Sequence, residues 1–331
     1  MACGAHLACG DARRACPQAN AGARCMMAPL PKSDLLPNLT RKRPMSNLPD
    51  ALCYLNGDYT PINQAKVSVL DRGFIFGDGI YDVVPVYGRK LFRFAQHLAR
   101  LERNLGKLRI PNLHTQDEWL ERCRKLVGAH QAEDQMIYIQ VTRGVAVRDH
   151  VIPQDITPTV FIMASAMKPV GAKALAEGVA CVTAQDFRWE RGDIKSTSLL
   201  GNVLARQVSA DVGATETILF RDGVLTEASS SNVWLVKDGA VLGVPKSEHV
   251  LEGIRFELLR ELCEQEGIAF SLAPISEAQV RGADELMLSS ASKEVLPVTT
   301  LDGKAIGSGR PGAVFQRLHA AYQRAKAQQS I

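Results

Sequence analysis

The sequence predicts an α+β fold of two domains built on mixed and antiparallel sheets. Three observations carry that reading. Short apolar strands recur with turn signals between them, so hairpins dominate. Helical stretches are interspersed, but few sit between two strands as crossovers. Neither GxGxxG nor a Walker A motif occurs, which argues against a Rossmann sheet and weakens nucleotide-binding readings.

Apolar alternation starts at residues 51–55 and meets the turn Asn56-Gly57-Asp58. Residues 66–70 read as another short strand. Residues 80–87 read as a strand that turns at Gly88-Arg89 and pairs back through 90–94 as a hairpin. Leu98, Leu101, Leu105 and Leu108 stand at helical spacing over 97–108, and 118–130 forms a second helix. Residues 136–142 and 159–164 are strands. Together these make a first domain over 51–167, closed by a linker at 168–172 rich in turn formers. A larger domain fills 173–331. It holds a strand at 179–185, a helix at 199–212, a meander over 218–243, a helix at 253–266, a strand at 285–288 and a closing helix at 311–326.

Composition narrows the function classes. Lys and Arg number 39 against 35 Asp and Glu, a net charge of +4 that is too mild to predict a nucleic-acid partner. No run of about 18 apolar residues predicts a membrane span. Residues 1–50 are rich in Ala, Arg, Pro and Cys and have no periodic apolar face. They read as a disordered extension, or as an upstream start to a functional chain that begins near Met45. They lack the apolar core of a signal peptide. Being Arg-rich and acid-poor, they bear a faint likeness to a transit peptide. Cys3, Cys9, Cys16 and Cys25 contain no CxxC pair, so no metal site is expected. Cys53, Cys123, Cys181 and Cys263 are scattered one per segment and read as reduced thiols, which predicts a cytoplasmic protein.

Three features suggest chemistry. Lys195 lies in Arg191-Gly-Asp-Ile-Lys195-Ser-Thr-Ser, between a strand and a helix. A partly buried lysine can attack a carbonyl as a neutral amine, although a loop lysine is ordinarily a solvated one. Glu227 lies in Thr226-Glu227-Ala-Ser-Ser-Ser-Asn232 at the edge of a buried strand. A carboxylate there can hold a pyridinium nitrogen protonated, or simply be a solvated hairpin residue. Gly253-Ile254 opens a helix whose free N–H groups can hold an anion. Ser289-Ser-Ala-Ser292 offers hydroxyls and Arg100 a fork of donors, though each alone has an ordinary reading as a cap or a solvated side chain.

Taken together, these residues resemble the class IV, or fold-type IV, pyridoxal-phosphate-dependent aminotransferases, and within them the D-amino-acid branch. The likeness rests on Asp71-Arg-Gly-Phe-Ile-Phe-Gly-Asp-Gly-Ile-Tyr81-Asp-Val-Val, His97-Leu-Ala-Arg100-Leu, Val141-Thr-Arg-Gly, Asp193-Ile-Lys195-Ser and Thr226-Glu227-Ala-Ser-Ser-Ser-Asn-Val. It runs from about Tyr54 to the last helix and leaves out the N-terminal extension. The resemblance implies a homodimer with pyridoxal 5'-phosphate between the two domains. Lys195 becomes the Schiff-base lysine that also moves the substrate proton, and Glu227 the partner of the ring nitrogen. Arg100 becomes a phosphate ligand helped by the backbone N–H groups of Ile254, Arg255 and Ala291. Leu251 packs behind the ring, and Ser230 leads the supporting serines 229–231. Related enzymes often carry threonines where this chain has Arg255 and Ala291, so both positions keep a backbone N–H but lose that hydroxyl, and Arg255 either supplies charge instead or points to solvent.

The same resemblance reads Arg148-Asp149-His150, with Tyr81, as the trap for a substrate carboxylate, since guanidinium, imidazole and phenol can all donate to it. A charged loop with no ligand is the ordinary alternative. The implied reaction moves the amino group of a D-amino acid such as D-alanine to 2-oxoglutarate. Three alternatives remain: a branched-chain L-amino-acid aminotransferase, an aminodeoxychorismate lyase, and a non-catalytic cofactor-binding dimer. Intact Lys195 and Glu227 argue against the last.

Overall fold

A computed structural model describes residues 51–331. The expected extension and its four cysteines lie outside the described residues. The first half contains β1 (Leu52–Leu55), β2 (Asp58–Pro61), α1 (Arg72–Phe76), β3 (Gly79–Tyr87), β4 (Lys90–Leu91), α2 (Phe94–Leu108), α3 (Gln116–Ala129), β5 (Gln135–Thr142) and β6 (Thr159–Ala166). The strands form one antiparallel sheet in the order β2-β1-β6-β5-β3-β4.

The second half runs α4 (Ala172–Glu177), β7 (Val179–Gln185), α5 (Leu200–Asp211), β8 (Glu216–Arg221), β9 (Val224–Ala228), β10 (Asn232–Lys237) and β11 (Ala240–Gly243). It continues with α6 (Ile254–Gln265), β12 (Phe270–Leu272), α7 (Glu277–Arg281), β13 (Glu285–Ser290), β14 (Glu294–Leu301), β15 (Lys304–Ala305) and α8 (Ala313–Gln328). Its nine strands form a mixed sheet, β12-β11-β10-β13-β14-β7-β8-β9, with β15 on β14. The expected α+β class and mixed and antiparallel sheets are both present, and residues 168–172 fall between the two sheets.

Packing explains the patterns. In the first half, Leu98, Leu101 and Leu105 of α2 and Trp119 of α3 pack on Ile137, Ile139 and Ile162 of the sheet. A capping box between Thr115 and Glu118 starts α3. The second sheet is covered on both faces, so β10 reads as a continuous apolar run rather than an alternating one. Trp234 and Val236 join a core with Phe256, Leu259, Phe315 and Leu318 of α6 and α8, while Val233 and Leu235 join a different core with Ile218, Ile275 and Leu288. The halves also exchange one anchor each. Phe92 enters the core of α6 and α8, and Ile194 enters the core of the first sheet.

Two expectations need correction. Residues 66–70 form no strand; Val67, Val69 and Leu70 are exposed and meet no sheet edge, so alternation there has no partner ladder. The hairpin strand expected over 90–94 ends at Leu91. The N–H of Phe92 goes to the Pro85 carbonyl, Arg93 turns left-handed, and Phe94 already begins α2. The sequence reading also passed over β14, which contains Pro297. That proline pairs with Met287 of β13, and β7 joins only from Val298 onward, so its missing N–H costs no ladder bond on that side.

Gly144 fixes the loop that carries residues 145–150. Its φ of +107° is left-handed, and an added Cβ would sit 2.0 Å from the Thr157 carbonyl oxygen. Its own carbonyl accepts from Arg72 N at the start of α1. Gly144→Ala is therefore expected to lose about 1–3 kcal/mol of stability, read as a lower urea midpoint. An unchanged midpoint would contradict this account of the loop.

Candidate active site

The 194–197 segment is anchored on the antiparallel sheet of the first half. Ile194 is buried against the first sheet, Tyr81 N donates to Lys195 O at 2.9 Å, and Thr197 N donates to Gly79 O at 2.9 Å. This pairing fixes the backbone of Lys195 on the edge of β3. Its Nζ lies 4.2 Å from the centroid of the Tyr81 ring, which itself stacks on Tyr138. Lys195 Nζ has no hydrogen-bond partner among the described residues. It projects into a cavity of about 500 Å³ that also reaches Arg100, Glu227, Ser230, Leu251, Ile254, Arg255 and Ala291. Nine of the eleven expected site residues thus share one cavity.

At one end lies the buried carboxylate of Glu227. Arg188 Nη1 donates to its Oε1, and Leu251 N donates to its Oε2 at 3.1 Å. Burial pushes the Glu227 pKa above the usual carboxylate value, and Arg188 only partly offsets it. Arg188 is itself held by Asp186, which accepts from Nε at 2.9 Å and Nη2 at 2.8 Å. The sequence reading missed both. The available signal was the Asp186-x-Arg188 turn just past the end of β7, where Arg188 N donates to Asp186 Oδ1.

At the other end α6 begins at Gly253 with no side-chain cap, leaving its first N–H groups directed at the cavity. A Cβ at 253 would meet Asn232 Oδ1 at 2.2 Å, so only glycine fits there. Arg100 faces the same end. Asp82 accepts from its Nε and Nη2, both at 2.9 Å, and from His97 Nδ1 at 2.7 Å. Burial alone would raise Asp82, but Arg100 and His97 outweigh it and hold the carboxyl far below its usual range. Burial lowers His97 to about 4, so near neutral pH its ring is uncharged, with Nδ1 donating to Asp82 and the buried Nε2 left without a partner.

Ser230 occupies a wall stiffened from behind. Glu216 is fully buried and accepts from the hydroxyls of Ser229, Ser230 and Ser231 and, at 2.8 Å, from Lys293 Nζ. Burial pushes Glu216 up, but Lys293 and the serines hold it below the usual value. Neither Glu216 nor Lys293 was found by sequence reasoning, because their contact spans strands that nothing local in the sequence pairs.

Tyr81 lines the cavity, but Arg148 and His150 do not. Within one chain both are exposed on the loop between β5 and β6, packed beside Phe76 with ring-to-cation and ring-to-ring distances of 5.3 and 5.4 Å. The expected triad is therefore not assembled by a single chain. Among the described residues no group of three His, Cys, Asp or Glu side chains can hold a metal ion.

Comparisons with known proteins give the chain that carries this cavity a family. The model of the family Amino-transferase class IV matches residues 79–301. A D-alanine aminotransferase of Staphylococcus aureus (strain MSSA476) is 37% identical over 271 residues, covering 82% of this chain and 96% of that protein. One from Bacillus licheniformis is 36% identical over 269 residues, covering 81% and 94%. Among solved structures, the Escherichia coli branched-chain amino acid aminotransferase superposes with a TM-score of 0.78 at 24% identity, covering 83% of this chain and 94% of that one. The branched-chain enzyme from Thermobaculum terrenum, in its PLP-bound holo-form, gives a TM-score of 0.74 at 21% identity, covering 85% and 95%. The chain belongs to the class IV aminotransferase family and has its fold-type IV architecture.

The depressed His97 pKa has a consequence for stability. The ordinary value is 6.5 and the folded value about 4, so the neutral ring contributes stability that is fully present above pH 6.5 and lost as pH falls toward 4. Asp82 stays ionised across that window. The parent is expected to lose on the order of 3 kcal/mol from this residue between those limits, and His97→Gln is not. Urea unfolding of both at pH 7.5 and 4.5 reads the difference, in which the other titrating groups cancel. A difference independent of pH would refute a buried neutral His97.

Proposed function

We propose that the chain is a pyridoxal-phosphate-dependent D-amino-acid aminotransferase that moves the amino group of D-alanine to 2-oxoglutarate, giving pyruvate and D-glutamate. The observation that carries this reading is the single cavity in which an unpartnered lysine amine stands between a buried carboxylate and a cationic, amide-rich helix start. The donor set fits the cofactor at both ends. When bound, the cofactor supplies an aldehyde for amines and a protonated ring that draws electrons from the substrate α-carbon. Glu227 faces the ring nitrogen as its hydrogen-bond partner, and Arg188 opposes the rise that burial gives the Glu227 pKa. Arg100 and the N–H groups of Ile254, Arg255 and Ala291 hold the phosphate. Leu251 packs against the ring face, and Ser230, braced by Glu216, supports its surroundings. Lys195 Nζ takes the α-proton and returns it on the cofactor side, guided by the Tyr81 ring. The two regions 51–167 and 173–331 act as domains that enclose this cavity.

The D-amino-acid reading is favoured over the branched-chain L-amino-acid reading by identity. The D-alanine aminotransferases lie at 36–37%, whereas the branched-chain structures lie at 21–24% and speak for the fold alone. An aminodeoxychorismate lyase or an inert cofactor-binding dimer has no comparable support. Arg148 and His150 serve as carboxylate ligands if a second copy presents its 145–150 loop to this cavity. Exposed apolar side chains lining the cavity (Trp189, Val203), on that loop (Val147) and on α1 and α5 (Phe74, Leu200) support such a homodimer. Cys53, Cys123, Cys181 and Cys263 are free and buried, which fits a reducing compartment and supports a cytoplasmic location. Among the described residues no helix is long and apolar enough to cross a membrane.

Pyruvate release with 2-oxoglutarate as acceptor tests the substrate. D-Alanine is expected to be used well and L-alanine and L-leucine poorly; a preference for L-leucine would sink the D-amino-acid reading. Arg148→Ala is expected to lower kcat/KM for D-alanine about ten- to a hundred-fold with the visible spectrum unchanged. Mixing Arg148→Ala with inactive Lys195→Ala under subunit exchange is expected to restore about a quarter of parental activity, since half the dimers regain one complete site. No recovery above the Arg148→Ala level would place that arginine outside its neighbour's site.

A further inference from the structure

Arg255 is among the largest fully buried side chains of the protein, at 2% exposure. Its guanidinium lies between Phe92 and Tyr322, with ring centroids at 5.1 and 5.5 Å. Nε and Nη1 have no hydrogen-bond partner, Nη2 reaches only the Ala291 carbonyl at 3.5 Å, and no carboxylate pairs with it among the described residues. Arg100, the other cation at this end of the cavity, has the bidentate Asp82 carboxylate as its counter-charge. A guanidinium does not lose its proton, so Arg255 is a buried charge with no carboxylate partner, and the polar side chain beside it is the Tyr322 hydroxyl. Aromatic stacking offsets part of that cost but leaves the donors unsatisfied. Arg255 lies in the first turn of α6 and lines the cavity wall beside the uncapped helix start.

We propose that the Arg255 guanidinium is a phosphate-sensing element of this chain, whose missing counter-charge is the phosphate ester of the cofactor. The proposal rests on the cofactor reading above and adds a side-chain contact to it. It has two consequences. Affinity depends steeply on the phosphate, because the ester satisfies a charge that nothing else in the cavity satisfies. Removing the charge from Arg255 also costs the cofactor-free protein little, because a buried guanidinium without a carboxylate contributes no net stability. Were Arg255 only a stacked pillar between the two rings, neither consequence would follow.

The test uses cofactor-free full-length protein, titrated with pyridoxal 5'-phosphate and with unphosphorylated pyridoxal. Reaction of either aldehyde with Lys195 is common to both and cancels in the ratio of affinities. Arg255→Met keeps length and apolar contact but removes the charge. It is expected to weaken pyridoxal 5'-phosphate about ten- to a hundred-fold, as for loss of a charge-assisted contact. Pyridoxal affinity is expected to stay within about twofold, and the melting temperature of the cofactor-free protein to stay level or rise, because an uncompensated buried charge has gone. Arg255→Gln is read in the same way. A parent that favours the phosphorylated ligand while both variants keep its ratio overturns the role of Arg255 and leaves the cofactor reading intact. Variants whose cofactor-free melting temperature falls with that ratio unchanged show the pillar and overturn the proposal too. A parent that binds neither aldehyde overturns both readings.

Discussion

Everything at the site depends on one constraint: the short segment carrying Lys195 belongs in sequence to the mixed-sheet half but is anchored on the antiparallel sheet of the first half. Ile194 is buried in the core of the antiparallel sheet, while the backbone of Lys195 and Thr197 pairs with the start of β3. The chain reaches this segment from β7 and leaves it into α5, both parts of the mixed-sheet half. A lysine so placed cannot retreat into solvent, as a loop lysine ordinarily does. Tyr81 is delivered by the same pairing, so the amine and its aromatic neighbour are set by one piece of backbone geometry rather than by two independent side-chain choices.

Around that anchor the protein separates charge. Carboxylates at the site are buried, and each has its own cation: Glu227 has Arg188, Asp82 has Arg100, and Glu216 has Lys293. Buried pairs of this sort contribute little net stability, but removing one partner leaves an expensive lone charge, so they fix geometry. Arg188 and Asp186 steady the Glu227 end, and Asp82 aims Arg100 across the start of α6. Lys195 is left out of these pairings. Its freedom distinguishes it from Lys293, the other lysine at the site, which is tied to Glu216, Ser230 and Ser231.

The sequence made legible those parts of the structure whose causes are local. Helical spacing in α2, the apolar run of β10 and the turn before β2 all follow from neighbouring residues, and their bounds agree with the structure within a few positions. Lys195, Glu227 and Gly253 stood out as candidates, but each segment alone also had an ordinary reading, and only their combined resemblance to a family joined them into one site. Long-range causes were not legible. Residues 66–70 have a strand's alternation but no edge to join, and Pro297 hides a central strand whose second neighbour begins one residue later. Arg188 and Lys293 act through contacts 39 and 77 residues away, which no local pattern reports. Arg148 and His150 show the same limit, since one chain alone leaves them outside the cavity.

The central claim is that Lys195, and not Lys293, is the amine that meets the cofactor. Borohydride reduction of the protein loaded with pyridoxal 5'-phosphate, followed by proteolysis and peptide mass mapping, tests it directly. The account predicts a single phosphopyridoxyl mass increment on the peptide that contains Lys195, and an unmodified Lys293 peptide. A label on Lys293, or one spread over surface lysines with Lys195 unmodified, would contradict it.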